Sequence, residues 1–161
     1  MDNIQKIKNI LSGVTDPEIP VLTIEDMGIL KDIRINDDQV IITITPTYTG
    51  CPAMDMIEVN IKAALQEAGF GNVEVVSVLS PAWTTDWMTE EGKSKLKEYG
   101  IAPPEGTAAG KSSILGRGVN PQCPFCDSKN SELISHFGST PCKALYRCKV
   151  CLEPFDYFKC I

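Results

Sequence analysis

The spacing of apolar residues in the first hundred positions alternates between helical and strand periods. A first helix, ending near Gly13, is predicted by apolar positions three to four residues apart: Ile4, Ile7, Ile10, Leu11 and Val14. Apolar residues alternate over 29–35, and residues 40–45 are almost all β-branched. The polar residues at 36–38 favour a turn, so we predict that these two strands pair as a hairpin.

A second helix, a third strand and a third helix complete this pattern. The second helix ends at Gly69, and its predicted buried face comprises Met54, Ile57, Ile61, Ala64, Leu65 and Ala68. Residues 73–79 are rich in valine and predict a strand, whereas 89–99 predict a mostly polar helix. The order α-β-β-α-β-α predicts an α+β domain with helices packed against a three-stranded sheet.

The periodic pattern stops after residue 100. Residues 100–121 contain five Gly and three Pro, which we interpret as a linker or extended arm over 101–121. Apolar side chains of this arm could dock it on a surface: Ile114, Leu115 and Val119. We therefore predict a domain at 1–100 and a second module at 122–161.

Charge separates the two modules and narrows the function classes. The chain carries a net charge of −6, divided into −9 over residues 1–110 and +3 over 111–161. An acidic chain argues against general affinity for nucleic acid. No apolar run approaches the ~18 residues that span a bilayer, and the first residues lack the pattern of a secretion signal, so we expect a cytoplasmic protein without a membrane partner.

Cysteines dominate the second module. Six of the seven cysteines lie in the last 39 residues, and the odd total excludes complete internal pairing. Two Cys-x-x-Cys pairs, separated by 21 residues, can place four sulfurs around Zn²⁺: Cys123, Cys126, Cys148 and Cys151. A 40-residue module is near the size at which a core alone fails, so a structural metal is sufficient to explain them. We predict a zinc-ribbon-like β module whose hairpin core contains Phe155, Tyr157 and Phe158.

Two cysteines of this module have no role in that site. Cys142 and Cys160 remain open as spare thiols, alternative metal ligands or the halves of a disulfide. A labile iron–sulfur cluster that uses one of them, or Cys51, also stays open. We expect His136 to be a surface or hairpin residue, since four cysteines already satisfy zinc.

Cys51 is the candidate reactive thiol of the first module. It lies between Gly50 and Pro52 directly before the second helix, where Pro52 suits the first helical position and Cys51 the N-cap. The helix dipole would stabilise a thiolate there, and Gly50 would allow a sharp turn that exposes the sulfur. The alternative is a buried cysteine that acts as a small apolar residue. The sole histidine lies in the other module, so we expect no catalytic activity of its own but a thiol that passes metal or exchanges with another thiol.

Residues 80–89 hold both tryptophans of the chain, Trp83 and Trp87, followed by Met88. Such a segment either packs over the sheet or forms a partner surface.

Three motifs resemble a known family. They are Asp16-Pro17-Glu18, then Thr49-Gly50-Cys51-Pro52, then Pro81-Ala82-Trp83-Thr84-Thr85, and together they are similar to the small iron–sulfur-assembly domains that include SufT. The tail from Cys148 to Cys160 extends the resemblance to the PaaD family of bacterial phenylacetate catabolism. The resemblance implies that Cys51 is the reactive cysteine, surrounded by an acidic motif at Asp16 and Glu18, by Thr49, and by an aromatic motif at Trp83. The sequence Ser80-Pro81-Ala82-Trp83 departs slightly from the common Pro-Pro-Trp form.

The same resemblance implies a role beside phenylacetyl-CoA epoxidase, a multicomponent di-iron monooxygenase. Our leading hypothesis is a maturation factor for an iron–sulfur client of that system, with the reductase as the expected client and transient iron or an Fe–S cluster at Cys51. The alternatives are a stoichiometric structural or regulatory subunit of the monooxygenase and a thiol-redox protein. Exposed edges of a three-stranded sheet would also allow a homodimer.

Overall fold

The structure, a computed structural model, describes residues 2–105 and 119–159. Its elements are α1 (Asn3–Leu11), β1 (Leu30–Asn36), β2 (Gln39–Ile44), α2 (Ala53–Glu67), β3 (Asn72–Ser77), a 3₁₀ turn (Thr85–Trp87), α3 (Glu90–Tyr99), β4 (Ile101–Ala102), β5 (Ser131–Ser135), β6 (Lys143–Cys148) and β7 (Pro154–Phe158). The predicted α+β class and the order α-β-β-α-β-α are confirmed for the first hundred residues. Cys160 and the arm residues Ile114 and Leu115 lie outside the described residues.

The first sheet has the strand order β1-β2-β3. Strands β1 and β2 form the predicted antiparallel hairpin, and Asp37 at its tip adopts a left-handed backbone with φ of 51°. Strands β2 and β3 are parallel because helix α2 provides the crossover between them. Helix α2 ends as predicted near Gly69, whose φ of 97° suits glycine and lets the chain turn back toward β3.

Branched aliphatic side chains from both helices, from strand β2 and from the loop before β1 form the core of this part. Nine of them have no exposed surface: Ile7, Leu11, Leu22, Ile24, Ile29, Ile42, Ile57, Ile61 and Leu65. The buried face of α2 differs from the predicted one at its edges, because Ala53 is buried whereas Met54, Ala64 and Ala68 are only half-buried.

The second sheet has the order β4-β7-β6-β5, with β4 parallel to β7 and the other neighbours antiparallel. Its small core contains the predicted hairpin aromatics Phe155 and Tyr157, and Val119 of the arm packs against it. Residues 101–102, which we predicted as the start of the linker, instead form β4 because they hydrogen-bond to the β7 strand.

Contacts divide the chain into two compact units. The first contains residues 1–83 and 87–89, and the second contains 84–86 and the chain from residue 90 onward. Helix α3, which we predicted in the first module, belongs by this criterion to the second unit. The domain boundary at residue 100 stays a prediction. Among the described residues, no helix is both long and apolar enough to cross a membrane.

Candidate functional site

Four cysteine sulfurs converge at one end of the second sheet. The Sγ atoms of Cys123, Cys126, Cys148 and Cys151 all lie within 4.8 Å of one another. The Cys123 and Cys151 sulfurs are 3.7 Å apart, and those of Cys126 and Cys148 are 3.5 Å apart. A tetrahedral zinc with Zn–S bonds near 2.3 Å would place its sulfurs about 3.8 Å apart. The donor set therefore fits a structural metal with a closed coordination sphere.

Two matching turns position these sulfurs. In each turn the residue after the second cysteine adopts a left-handed backbone, with φ of 62° at Asp127 and 66° at Leu152. The Asp127 N–H donates to the Cys123 carbonyl at 2.9 Å, which closes the first turn. In the second turn the Val150 N–H points at the Cys148 sulfur at 3.4 Å. The spacing of the cysteines thus specifies two equivalent loops whose sulfur atoms lie close together.

The backbone of the second turn also prepares the cluster for a cation. Backbone N–H groups of Cys151 and Val150 lower the pKa of Cys148 to about 6, although burial acts in the opposite direction. For Cys151, the Glu153 N–H lowers the pKa, but burial and the neighbouring thiols outweigh it and raise the pKa to about 12. The Cys148 thiol therefore ionises more readily than an ordinary thiol, and the thiolate is the form that ligates a metal.

Cys142 is not an alternative ligand of this cluster, which corrects one of the predicted options. It directly precedes β6, whereas Cys148 is the last residue of that strand. Six residues of extended chain separate their backbones by about 20 Å. Cys142 is buried in the described structure and belongs to a different end of the sheet.

Cys51 lies at the start of α2, one residue earlier than predicted. The structure places Pro52 at the N-cap, and the Cys51 carbonyl accepts a hydrogen bond from the Met54 N–H at 3.2 Å. Gly50 has a φ of 80°, which supports the predicted sharp turn. Of the two interpretations that the sequence left open, the structure agrees with the buried cysteine, because Cys51 exposes only 8% of its surface. Local signals mark a helix start, but the packing of the core determines how deeply that start is buried.

The acidic motif is used locally by the backbone. Asp16 is buried, and its Oδ1 accepts hydrogen bonds from the N–H groups of Glu18 and Ile19 at 2.7 and 2.9 Å. The Glu18 side chain is exposed, and so is Thr49. Within the described residues the Cys51 thiol makes no hydrogen bond, so the structure does not join it directly to these carboxylates.

The aromatic motif is also largely structural. Trp83 exposes 3% of its surface, and its Nε1–H donates to the Met27 carbonyl at 2.7 Å. Lys31 places its ammonium 3.1 Å from the centroid of the Trp87 ring. Of the two interpretations that the sequence left open for residues 80–89, Trp83 agrees with packing, and it fastens the segment after β3 to the loop before β1.

Sequence reasoning missed two features of the second unit. Lys159 is buried beside Cys142, although the sequence marks it only as a charge after an apolar strand. Each metal turn also presents apolar side chains to solvent: Phe125 and Val150 at the third position of the two Cys-x-x-Cys pairs, and Leu152 directly after the second pair. The apolar residue at the third position is the sequence signal that could have indicated this.

Comparisons with known protein families match both parts of the chain. Residues 4–78 match a family described as iron–sulfur cluster assembly protein. Residues 107–159 match the PaaD zinc beta ribbon domain.

Individual relatives show the same division. A protein of Escherichia coli K12, described as a putative subunit of 1,2-phenylacetyl-CoA epoxidase, is 49% identical over 98% of this chain and 93% of its own length. The Fe-S protein maturation auxiliary factor YitW of Bacillus subtilis is 34% identical over 57% of this chain and 91% of its own length. A crystal structure of a domain of unknown function, DUF59, from Bacillus anthracis matches with a TM-score of 0.53 and 28% identity, over 57% of this chain and 89% of that one. The chain therefore belongs to the PaaD family, with an iron–sulfur cluster assembly domain followed by a zinc β-ribbon domain.

Proposed function

We propose that this protein is an accessory factor that matures an iron–sulfur component of the phenylacetyl-CoA epoxidase system, and that the reductase is its client. The observation that carries the proposal is that different relatives match different fractions of this chain. The Fe-S maturation factors match 57% of the chain or less, and the iron–sulfur assembly family matches residues 4–78, whereas the relative described as an epoxidase subunit matches 98% of the chain. The first part then supplies a general assembly function, and the ribbon directs it to one client.

The ribbon has a surface suited to such a client. Phe125, Val150 and Leu152 expose 56, 63 and 66% of their surfaces on the two metal turns. Exposed apolar side chains grouped on a rigid element are typical of protein interaction sites. Zn²⁺ held by Cys123, Cys126, Cys148 and Cys151 would fix the two turns and therefore keep this surface in place.

In the first unit, Cys51 is the thiol that we propose receives or passes iron or an Fe–S cluster, with Asp16, Glu18, Thr49 and Trp83 forming its surroundings. It is the sole cysteine among residues 1–110. Its low exposure means that transfer requires the residues that cover the thiol to move aside when the client binds. Burial in the resting state would protect the thiol from disulfide exchange with bulky thiols between transfers. We place this reaction in the cytoplasm, without a nucleic acid or membrane partner.

The test is the cluster content of the reductase in cells that carry Cys51→Ala. The reductase is purified without oxygen, and its iron, acid-labile sulfide and visible absorption are measured. We expect the variant to lower cluster content at least severalfold, whereas Cys142→Ala, the same substitution in the ribbon, leaves it unchanged. A full cluster content in Cys51→Ala cells would refute the role of Cys51.

One comparison favours a second function, a stoichiometric component of the epoxidase, because the relative that matches both modules is described as a subunit of that enzyme. This function predicts that the protein co-purifies with the epoxidase at a fixed ratio. It also predicts that the protein changes turnover when every other component already carries its full complement of iron. A maturation factor would have no effect on turnover under that condition.

A further inference from the structure

Cys142 and Lys159 face each other at the end of the second sheet that lies away from the four-cysteine cluster. The β6–β7 pairing ends with Lys143 opposite Phe158, and the next pair outward is Cys142 with Lys159. The Lys159 N–H donates to the Cys142 carbonyl at 3.0 Å, which extends the antiparallel pairing by one step. Opposed residues in such a pair project to the same face with Cβ atoms about 5 Å apart.

The Lys159 ammonium is buried, and the part of the chain that the structure describes places no carboxylate against it. Only 8% of the residue is exposed, and among the described residues no Asp or Glu forms an ion pair with it. Its Nζ donates to the His136 carbonyl at 2.9 Å and lies 4.6 Å from the centre of the Phe137 ring. Burial lowers the pKa of Lys159, and negative charge on Cys142 raises it. An ionised Cys142 sulfur would therefore be an anionic partner for this ammonium among the described residues.

A hydroxyl completes the surroundings of the sulfur. The Thr140 Oγ1 lies 3.0 Å from the Cys142 Sγ and can donate its proton to a thiolate. An ammonium and a hydroxyl donor both favour the ionised form of a thiol, which is the nucleophilic form. Because Cys142 lies about 20 Å from the four-cysteine cluster, metal binding there leaves this thiol reactive.

We propose that Cys142, activated by Lys159 and Thr140, is a second nucleophilic site of the protein and that it reacts with hydrogen peroxide. The thiolate attacks one peroxide oxygen, an S–O bond forms, and the O–O bond breaks with release of hydroxide. The sulfur loses two electrons to give a sulfenic acid, and the peroxide gains them. Cys142 exposes 7% of its surface, which suits an oxidant little larger than water and excludes bulky thiols.

The test measures the rate at which peroxide oxidises Cys142 in the full-length, zinc-loaded protein. Catalase ends each reaction, and the protein is then unfolded in dimedone, so that labelling does not depend on access to the folded site. Mass spectrometry quantifies the adduct on the peptide that contains Cys142. Cys51 is buried to the same degree but has no hydrogen-bonded thiol, and it serves as an internal reference.

We expect Cys142 to react faster than the thiol of glutathione. Lys159→Met, which keeps the aliphatic stem and removes the charge, should lower the rate about tenfold. Lys159→Arg should restore most of the rate, and Thr140→Val should lower it by a smaller factor. The Cys51 rate should stay constant throughout, and zinc content verifies that each variant is folded.

Equal Cys142 rates in the wild type and in Lys159→Met would overturn the proposal. If Lys159→Met does not retain zinc, the wild-type protein and Thr140→Val decide the matter. A wild-type rate no higher than that of glutathione, or a Thr140→Val rate equal to the wild type, would then overturn it. None of these outcomes bears on client maturation, which is measured separately through Cys51.

Discussion

The two units use cysteine in opposite ways. The first unit contains a single cysteine, Cys51, which is buried at a helix start and has no hydrogen bond from its thiol to the described residues. The second unit brings four sulfurs within 4.8 Å of one another through two backbone turns. A single thiol cannot close the coordination sphere of a metal ion, whereas four thiolates around one ion form a closed site that retains it. The contrast supports the proposal that Cys51 transfers its ligand and that the four-cysteine site has a structural role.

The cores of the two units explain why the metal is needed in one and not in the other. Nine completely buried aliphatic side chains support the first unit. In the described part of the second unit, one cluster of seven buried residues includes Cys123 and Cys148, which are themselves candidate metal ligands. Removal of the metal from the second unit therefore leaves charged or polar thiols inside its core. The same treatment should not change the stability of the first unit.

The largest expected effect is the loss of the metal site. Cys148→Ala should abolish metal binding and unfold the second unit, because a structural zinc contributes on the order of 10–16 kcal/mol, as much as the whole stability of a small domain. Zinc analysis and amide hydrogen exchange would measure both results. Cys142→Ala is the matched control and should keep its zinc. Retention of one zinc by Cys148→Ala would contradict the four-cysteine assignment.

Truncation of a buried side chain in the core of the first unit should destabilise that unit alone. Ile57 is completely buried on α2, so Ile57→Ala should lower the free energy of unfolding by about 2–5 kcal/mol and leave zinc content unchanged. Val59 lies on the exposed face of the same helix, and Val59→Ala should change the free energy by less than about 0.5 kcal/mol. Denaturation in urea measures both variants. Equal effects would mean that α2 does not pack as described.

A smaller loss is expected where the loop before β1 meets the segment after β3. Gly28 has a φ of 69°, and a Cβ there would lie only 2.5 Å from the Trp87 carbonyl oxygen. Gly28→Ala should therefore cost about 2 kcal/mol or more. Gly71 has open space around it, so Gly71→Ala is the control and should be nearly neutral. Thermal unfolding measures both variants, and equal melting temperatures would contradict the close approach between Gly28 and Trp87.

The smallest predicted effect concerns the hydrogen bond of Trp83. Trp83→Phe removes the donor to the buried Met27 carbonyl and should lower the free energy of unfolding by about 1 kcal/mol. Zinc content should not change. An unchanged urea midpoint would show that this tryptophan does not fasten the two segments of the first unit.

The order of the elements was predictable because each one has a local signal. The β-branched run at 40–45, the polar turn at 36–38 and Gly69 each specify their own part of the first unit. The short strand β4 was not predictable, because it depends on pairing with a strand more than 50 residues away. Likewise, the association of α3 with the second unit results from tertiary contacts that a mostly polar helix does not signal.

The same distinction applies to the candidate sites. The grouping of the four cysteines was predicted because two Cys-x-x-Cys turns at a fixed spacing are a local pattern. The proximity of Cys142 to Lys159 depends on the register between β6 and β7, over 17 positions of sequence, so no local pattern indicates it. The sequence left the burial of Cys51 open for a related reason, since exposure depends on how the whole core packs around a helix start.

The most direct test of the division between the units is the metal content of protein purified without oxygen, compared for the wild type, Cys51→Ala and Cys148→Ala. We expect one zinc per chain in the wild type and in Cys51→Ala, none in Cys148→Ala, and no stoichiometric iron or sulfide in any of them. Stoichiometric iron and sulfide in the wild type, both lost in Cys148→Ala, would contradict the account. The four cysteines would then bind an iron–sulfur cluster rather than a structural zinc.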